Sequence, residues 1–456
     1  MKRIYLLAVI AAGLASCQKN SDILNPSFNK TDTLSGSITA NKTLDANTSY
    51  ILAGQVFVKK NAILTIPAGV TISVVKEDLA TNKGALIITT GSKLIIDGTA
   101  DKPVVFTSAA ATKTPGDWGG VILLGKAPTN IGTGNVEGLA VSDDTKFGGT
   151  IADDNSGSIK YLRLEYCGGI NPDAEDEWVV DKASGLVMES VGSGTFVDNV
   201  MVVHSRDDAF QFVGGTVNAT HLIGFNNGDD DFDFDLGYQG NLQYLVSYRT
   251  ELTSTHALRA NGFESYNDEV PTLNAPLTRP VVSNLTVIGP QGDADEQTNL
   301  NQGIYIRKGT RFVLENSVIA EYPQGGLMVC IKTRPVLLAG KESQFKYNLV
   351  HSNRADLTFS FDQATKIVGD PELQAFALNS VNNNSLIVNA ADLKLTSMYA
   401  SAGNAPDLTP AEGSPALTGA NFDEADLSSS FFEKVTYRGA IGTNNWTAAN
   451  NWAVWK

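Results

Sequence analysis

Charge is scarce in this sequence, and positive charge is the scarcer sign. Of 456 residues, 18% are Asp, Glu, Lys or Arg, against about 25% in an average chain. Lys and Arg number 34 and Asp and Glu 49, a formal net charge of 34 − 49 = −15. That balance excludes a general nucleic-acid binder, which needs a basic face to displace counterions from phosphates. Histidine (4) and cysteine (3) are nearly absent, and no Cys pair stands at zinc spacing. No Gly-x-Ser-x-Gly elbow, Walker A loop or His-Glu-x-x-His helix occurs, which removes the common hydrolase, nucleotide and metalloprotease signatures. Long stretches of helical periodicity are missing too. What is present is 42 Gly and 42% hydrophobic residues, enough apolar side chain to exclude wholesale disorder.

The first residues form an address. Lys2 and Arg3 precede an apolar run from Ile4 to Ala15, shorter than the roughly 20 residues of a membrane-spanning helix. A basic start, a short apolar centre and small residues after it make a secretory signal. Leu14-Ala15-Ser16-Cys17 resembles the lipobox of bacterial lipoproteins. The resemblance implies removal of residues 1–16 and diacylglyceryl attachment to the Cys17 sulfur, giving a stable membrane anchor. Loss of Lys2 and Arg3 takes the mature charge to 32 − 49 = −17. Gln18-Lys19-Asn20-Ser21-Asp22 resembles, with an incomplete acidic pair, the signal that sends Bacteroidetes lipoproteins to the cell surface. The implied location is the outer membrane, lipid-anchored and surface-exposed. Residues 17–35, rich in Asn, Ser, Asp and Thr, read as a flexible tether.

From residue 36 short β-branched runs alternate with Gly, Asn or Asp turns, as in Ile63-Leu64-Thr65-Ile66 and Lys93-Leu94-Ile95-Ile96-Asp97. The decisive sign is self-similarity at a fixed offset. Arg206-Asp207-Asp208-Ala209-Phe210-Gln211-Phe212 is followed 22 residues on by Gly228-Asp229-Asp230-Asp231-Phe232-Asp233-Phe234. A period near 22 with two or three short strands is the mark of a right-handed, single-stranded parallel β-helix. Stacking then puts Phe210 on Phe232 and Phe212 on Phe234 as interior ladders. Gln211, Asp231, Asp233 and Asp235 should point outward. Cys167 and Cys330 are 163 residues apart, about seven coils or roughly 30–35 Å, too far for a disulfide; both are expected reduced and buried. Residues 125–157, 263–280 and 288–301 are expected as loop excursions. Asp370-Pro371 starts a short helix to about Leu378. The β-helix is assigned to 36–369. Residues 370–456, with Trp446, Trp452 and Trp455, are expected to cap its open end.

Several segments together resemble a known group. They are Gly116-Asp117-Trp118-Gly119-Gly120, Ser205-Arg206-Asp207-Asp208-Ala209-Phe210, Asp229-Asp230-Asp231-Phe232-Asp233 and Tyr437-Arg438-Gly439-Ala440-Ile441-Gly442. The chain resembles Bacteroidetes-type secreted or lipid-anchored proteins with a pectin-lyase-like β-helix, a group of no established activity. The resemblance implies fold and location.

Seven Asp lie between His204 and Asp235, with Arg206 the sole Lys or Arg among them. Stacked carboxylates repel unless neutralised, hydrogen-bonded or bound to a cation. Two readings stand for Asp207, Asp208, Asp229, Asp230, Asp231 and Asp233. They ligate Ca²⁺, the cation that oxygen-only donors favour, or they cap turn amides. Arg206 and Tyr238 are the ligand-contact candidates. Pectin-lyase-like lyases use Ca²⁺ with an Arg or Lys base, for which Arg206, Arg249, Arg259, Arg307 and Lys308 are the candidates here. Asp207, Asp208, Asp229 and Asp230 are the candidates for a hydrolase pair. His204, His221, His256 and His351 read as strand or turn residues. The expected function is a monomeric, non-catalytic surface lipoprotein binding a glycan or a partner protein. The alternatives are a lyase or hydrolase of acidic glycans and an accessory subunit of an outer-membrane transporter.

Overall fold

The structure, a computed structural model, describes residues 30–76, 84–169, 184–250, 260–268, 270, 272–290, 302–340, 342–362, 366–400, 405–448 and 452–455. The signal, Cys17 and most of the tether lie outside these residues, as do Arg259, His256 and residues 291–301 of the stretch expected as a loop. No helix among the described residues is long and apolar enough to cross a membrane.

Each β-branched run pairs in parallel with the run one coil further on. Val197, Ala219, Leu242, Val282, Leu314 and Phe345 stand in one such register column. All six are buried, because alternation sends every second side chain of each strand into the same interior. The result is a right-handed parallel β-helix with three faces. Face I includes Leu186–Glu189, Phe210–Val213, Phe232–Asp235, Phe263–Ser265 and Ile304–Ile306. Faces II and III are the two halves of longer strands such as Phe196–Val203, Asn218–Phe225 and Asn241–Tyr248. The expected ladders are present: Phe210 stacks on Phe232 at 5.3 Å and Phe212 on Phe234 at 4.9 Å between ring centroids.

From Tyr161 onward the coils turn between faces II and III through one left-handed residue. Tyr161, Asn199, His221, Tyr244, Asn284, Asn316, Tyr347 and Asn383 have φ between +50° and +62°. Four of the eight are Asn, whose short polar side chain tolerates this region best. They form a column down one edge of the prism.

The outsides of the faces are covered in turn. Residues 126–156 leave the helix as expected. They form a hairpin at Gly134–Asn135 and Lys146–Phe147, and its Val136 and Phe147 pack on Ile122, Leu124, Val187 and Val213 of face I. The stretch expected as a loop at 263–280 instead begins with a face I strand, Phe263–Ser265. The ladder starts at Lys30, paired with Thr48, so residues 30–35 are strand rather than tether. It ends at Ser385–Leu386, paired with Leu349–Val350, past the expected boundary at 369.

The C-terminal region departs from expectation. The interior is closed by two short helices, Arg334–Leu338 and Pro371–Ala377, through Leu337, Leu373 and Ala377. Asp370 caps the second, its Oδ1 accepting from Glu372 N at 3.1 Å and Leu373 N at 3.0 Å. The Trp-rich tail runs back along the side, on the left-handed column. Asn421 N donates to Asn316 Oδ1 at 2.8 Å. Asn284 Nδ2 donates to the Tyr437 and Gly439 carbonyls at 3.0 and 3.1 Å. Trp446 meets His221 edge-on at 4.8 Å and Trp452 meets Tyr161 at 5.8 Å. Trp452 and Trp455 are buried on Met201, Phe225 and Tyr248, outward residues of face III. Apolar outward rows on a sheet need cover, and the tail supplies it. Of the two cysteines, Cys167 is buried, which pushes its thiol up to about 12. Cys330 is half-buried rather than buried, and both are free.

Trp452→Ala removes its packing on Tyr161 and Trp446 and is expected to cost about 3–5 kcal/mol in denaturant unfolding. Glu315, fully buried near Glu424 of the tail, has no hydrogen bond to either carboxylate oxygen. Burial, then the Glu424 charge, raises it to about 8. Its stabilising share is full below the ordinary value of 4.5 and is lost as pH rises through about 8. Glu315→Gln is therefore expected to flatten the fall in Tm between pH 5 and 8 and to raise Tm at pH 9 by a few degrees.

Candidate cation and ligand face

Along face I the apolar outward row stops and a polar one begins. The register aligns Val187, Gln211, Asp233, Glu264 and Tyr305 on successive coils. A neighbouring row aligns Glu189, Val213 and Asp235. Asp233 and Asp235 lie in the expected outward rows, yet both are buried. Asp231 does not point outward. It precedes the strand that starts at Phe232, so alternation does not extend to it, and its carboxylate turns into the interior with no exposure. Ser247 Oγ donates to Asp231 Oδ2 at 2.6 Å and Asn227 Nδ2 to Oδ1 at 2.8 Å. The room comes from Gly224, where a Cβ would sit 2.7 Å from Asp231 Oδ1.

Arg249 completes this interior knot. Its Nε lies 3.4 Å from Asp231 Oδ2 and donates to the Tyr322 hydroxyl at 3.1 Å. Its terminal nitrogens donate to the Asn227 and Asp229 carbonyls. Arg249 is thus a buried brace that shapes the turn carrying Asp229 and Asp230, not a base facing a substrate.

Among the described residues, six carboxylates form two groups, in each of which one oxygen per residue lies within 4.8 Å of the others. One is Asp207, Asp208 and Asp229. The other is Asp230, Asp233 and Glu264. Asp208 accepts from Asp230 N at 3.0 Å and Ser184 Oγ at 3.2 Å. Asp230 Oδ1 accepts from Asn261 N at 2.6 Å and Asn261 Nδ2 at 3.0 Å. Turn capping and carboxylate crowding therefore coexist. Burial first, then the neighbouring charges, holds Asp208, Asp229, Asp230 and Asp233 well above the usual carboxylate range. Glu189 is raised the same way, by burial and then Asp235.

Other candidates are placed apart from these groups. Tyr238 is a core residue with no exposure, wedged 5.0 Å from Phe212 and 5.3 Å from Phe234. Its hydroxyl donates to the Val217 carbonyl at 2.7 Å, so no surface ligand reaches it. The half-buried Arg206 packs over Gly116, where a Cβ would meet its Cδ at 2.7 Å. His204 stacks on Tyr166 at 5.3 Å, His221 Nδ1 is 2.8 Å from Asp198, and His351 Nδ1 accepts from Glu321 N at 3.2 Å. Arg307 does approach the acidic coil: its Nη1 donates to Glu264 Oε1 at 2.7 Å. The same guanidinium lies over Tyr266 at 5.7 Å and Tyr305 at 5.2 Å, and Lys308 lies over Tyr266 at 5.1 Å.

Glu264, Asn261 and the two tyrosines escape the sequence reading. Phe263-Glu264-Ser265 follows Phe232-Asp233-Phe234 by 31 residues rather than 22, because a longer coil intervenes. The signal was an acidic residue after Phe. Asp231 had a signal as well: Gly224 and Ser247 hold inward positions where the next coils place Val202 and Val287.

The family of the pectate-lyase-like beta helix domain matches residues 36–391. No curated protein and no solved structure matches the chain.

The buried carboxylates set a pH dependence. Raised above the ordinary 3.8, they stabilise fully below that value and lose the contribution as pH rises through their raised values. In chelator, Tm is expected to fall by several degrees between pH 5 and 8, and Asp208→Asn is expected to flatten part of that slope.

Proposed function

The chain belongs to the pectate-lyase-like β-helix family, and we propose that it is a non-catalytic, glycan-binding member. It would be anchored through Cys17 in the outer membrane and displayed at the cell surface. The observation that carries the reading is the strip on face I where Arg307 is tied to Glu264 and lies over the half-buried Tyr266 ring, with the buried Tyr305 backing it. Aromatic faces stack on the apolar faces of sugar rings, and a fixed guanidinium and carboxylates pair with hydroxyl and carboxyl groups. Ca²⁺ in the acidic coil would hold the strip in shape.

A lyase needs a free Arg or Lys to take a proton, and two of the described candidates near the acidic coil are committed. Arg249 braces backbone carbonyls, and Arg307 is paired with Glu264. This supports binding over cleavage.

A panel of neutral and acidic glycans, titrated by calorimetry with Ca²⁺ present, tests the reading. One glycan class is expected to bind, and Arg307→Ala to weaken it about tenfold or more, roughly 1.4 kcal/mol. Equal binding by the variant would sink the assignment. Release of unsaturated uronate or reducing ends during the titration would make the protein a lyase or hydrolase instead.

A further inference from the structure

The two carboxylate groups of the acidic coil are not equivalent. In the group of Asp207, Asp208 and Asp229, both oxygens of Asp208 are used by the chain, one by a backbone N–H and one by a hydroxyl, and Asp229, whose Oδ1 has no hydrogen-bond partner, is only half-buried. In the group of Asp230, Asp233 and Glu264, every residue is more than nine-tenths buried, at 6, 5 and 4% exposure. Three anions at that depth need compensation. Part of it is visible. Asn261 donates its backbone N–H and amide to Asp230, and the same amide to Glu264 Oε2 at 3.1 Å. Arg307 neutralises Glu264.

Asp233 is the exception. Its Oδ1 is buried with no hydrogen-bond partner, while one of its carboxylate oxygens lies within 4.8 Å of those of Asp230 and Glu264. It has no freedom to swing away. Phe232 and Phe234 on either side are locked in the interior ladders, and the register sets Asp233 directly beside Glu264 on the next coil. With all three ionised, three carboxylates against one guanidinium leave −3 + 1 = −2, the charge that one divalent cation cancels.

We infer that Asp230, Asp233 and Glu264 together ligate a divalent cation of the Ca²⁺ type, with Asn261 and Arg307 as positioning residues. The donors are carboxylate oxygens without imidazole or thiolate, which selects a hard cation over Zn²⁺. Mg²⁺ demands a near-ideal octahedron, whereas Ca²⁺ accepts the spacing that strand register imposes. The inference replaces the six aspartates of the sequence reading with a smaller set and adds Glu264. It deepens the glycan-binding reading, because Glu264 also holds Arg307, but the ligand set rests on its own geometry.

The test uses the mature chain, stripped with chelator and titrated with CaCl₂ and, separately, MgCl₂ by calorimetry. One Ca²⁺ site is expected, with a rise in Tm. Asp233→Asn and Glu264→Gln are each expected to weaken binding tenfold or more, and Asp207→Asn to change it less than twofold. Asp233→Asn removes a charge without changing shape, so in chelator it is expected to keep or raise the wild-type Tm; its lost Ca²⁺ response is then not unfolding. No isotherm, loss on Asp207→Asn with retention on Asp233→Asn, or Mg²⁺ binding as tight as Ca²⁺ overturns the assignment. Glycan affinity of Arg307→Ala is read separately. Ca²⁺ binding without a glycan effect defeats only the glycan reading, and a glycan effect without Ca²⁺ binding defeats only this one.

Discussion

One constraint governs this molecule: successive coils lie about 4.8 Å apart in parallel register. Whatever stands at one position must be compatible with its counterpart on the coils above and below. For apolar side chains this is favourable, and it produces the stacks of Phe210 on Phe232 and Phe212 on Phe234. For carboxylates it is costly, since like charges at that spacing in a buried row repel. The ladder that buries the core is therefore the same device that crowds Asp233 against Glu264. The phenylalanines hold the acids in place.

The same stacking produces the column of left-handed corners, and that column supports the tail. A corner repeated at one place in each coil from Tyr161 onward presents a straight row of side chains. Asn284 and Asn316 bond tail backbone, while Tyr161 and His221 receive Trp452 and Trp446. With faces II and III packed under the tail and the first coils of face I under the 126–156 hairpin, the outward rows of faces II and III and of the early coils are given over to packing. The polar outward row is concentrated on later face I.

The Phe ladders were legible because their repeat is regular; equal spacing lets an offset of 22 residues stand out. Glu264 was not, because the longer coil before it moves the repeat to 31. Tyr238 was placed beside the acidic coil correctly in sequence and wrongly in space, since its ring turns inward onto Phe212 and Phe234. The tail's Trp content announced that something apolar would be covered. Which surface it covered depended on the outward rows of face III, which no local pattern in residues 405–455 encodes.

By itself the sequence determined the class of fold, the interior ladders, the left-over negative charge and the stretch where that charge is densest. Those follow from periodicity and composition, which are local properties. Only the tertiary structure decided which carboxylates face one another, that Asp231 and Arg249 form an interior brace, and that Arg307 reaches Glu264 from 43 residues away. The reason is physical. Alternation and period assign a side chain to a face, but coil length and corner geometry decide its neighbour, and electrostatics depends on neighbours.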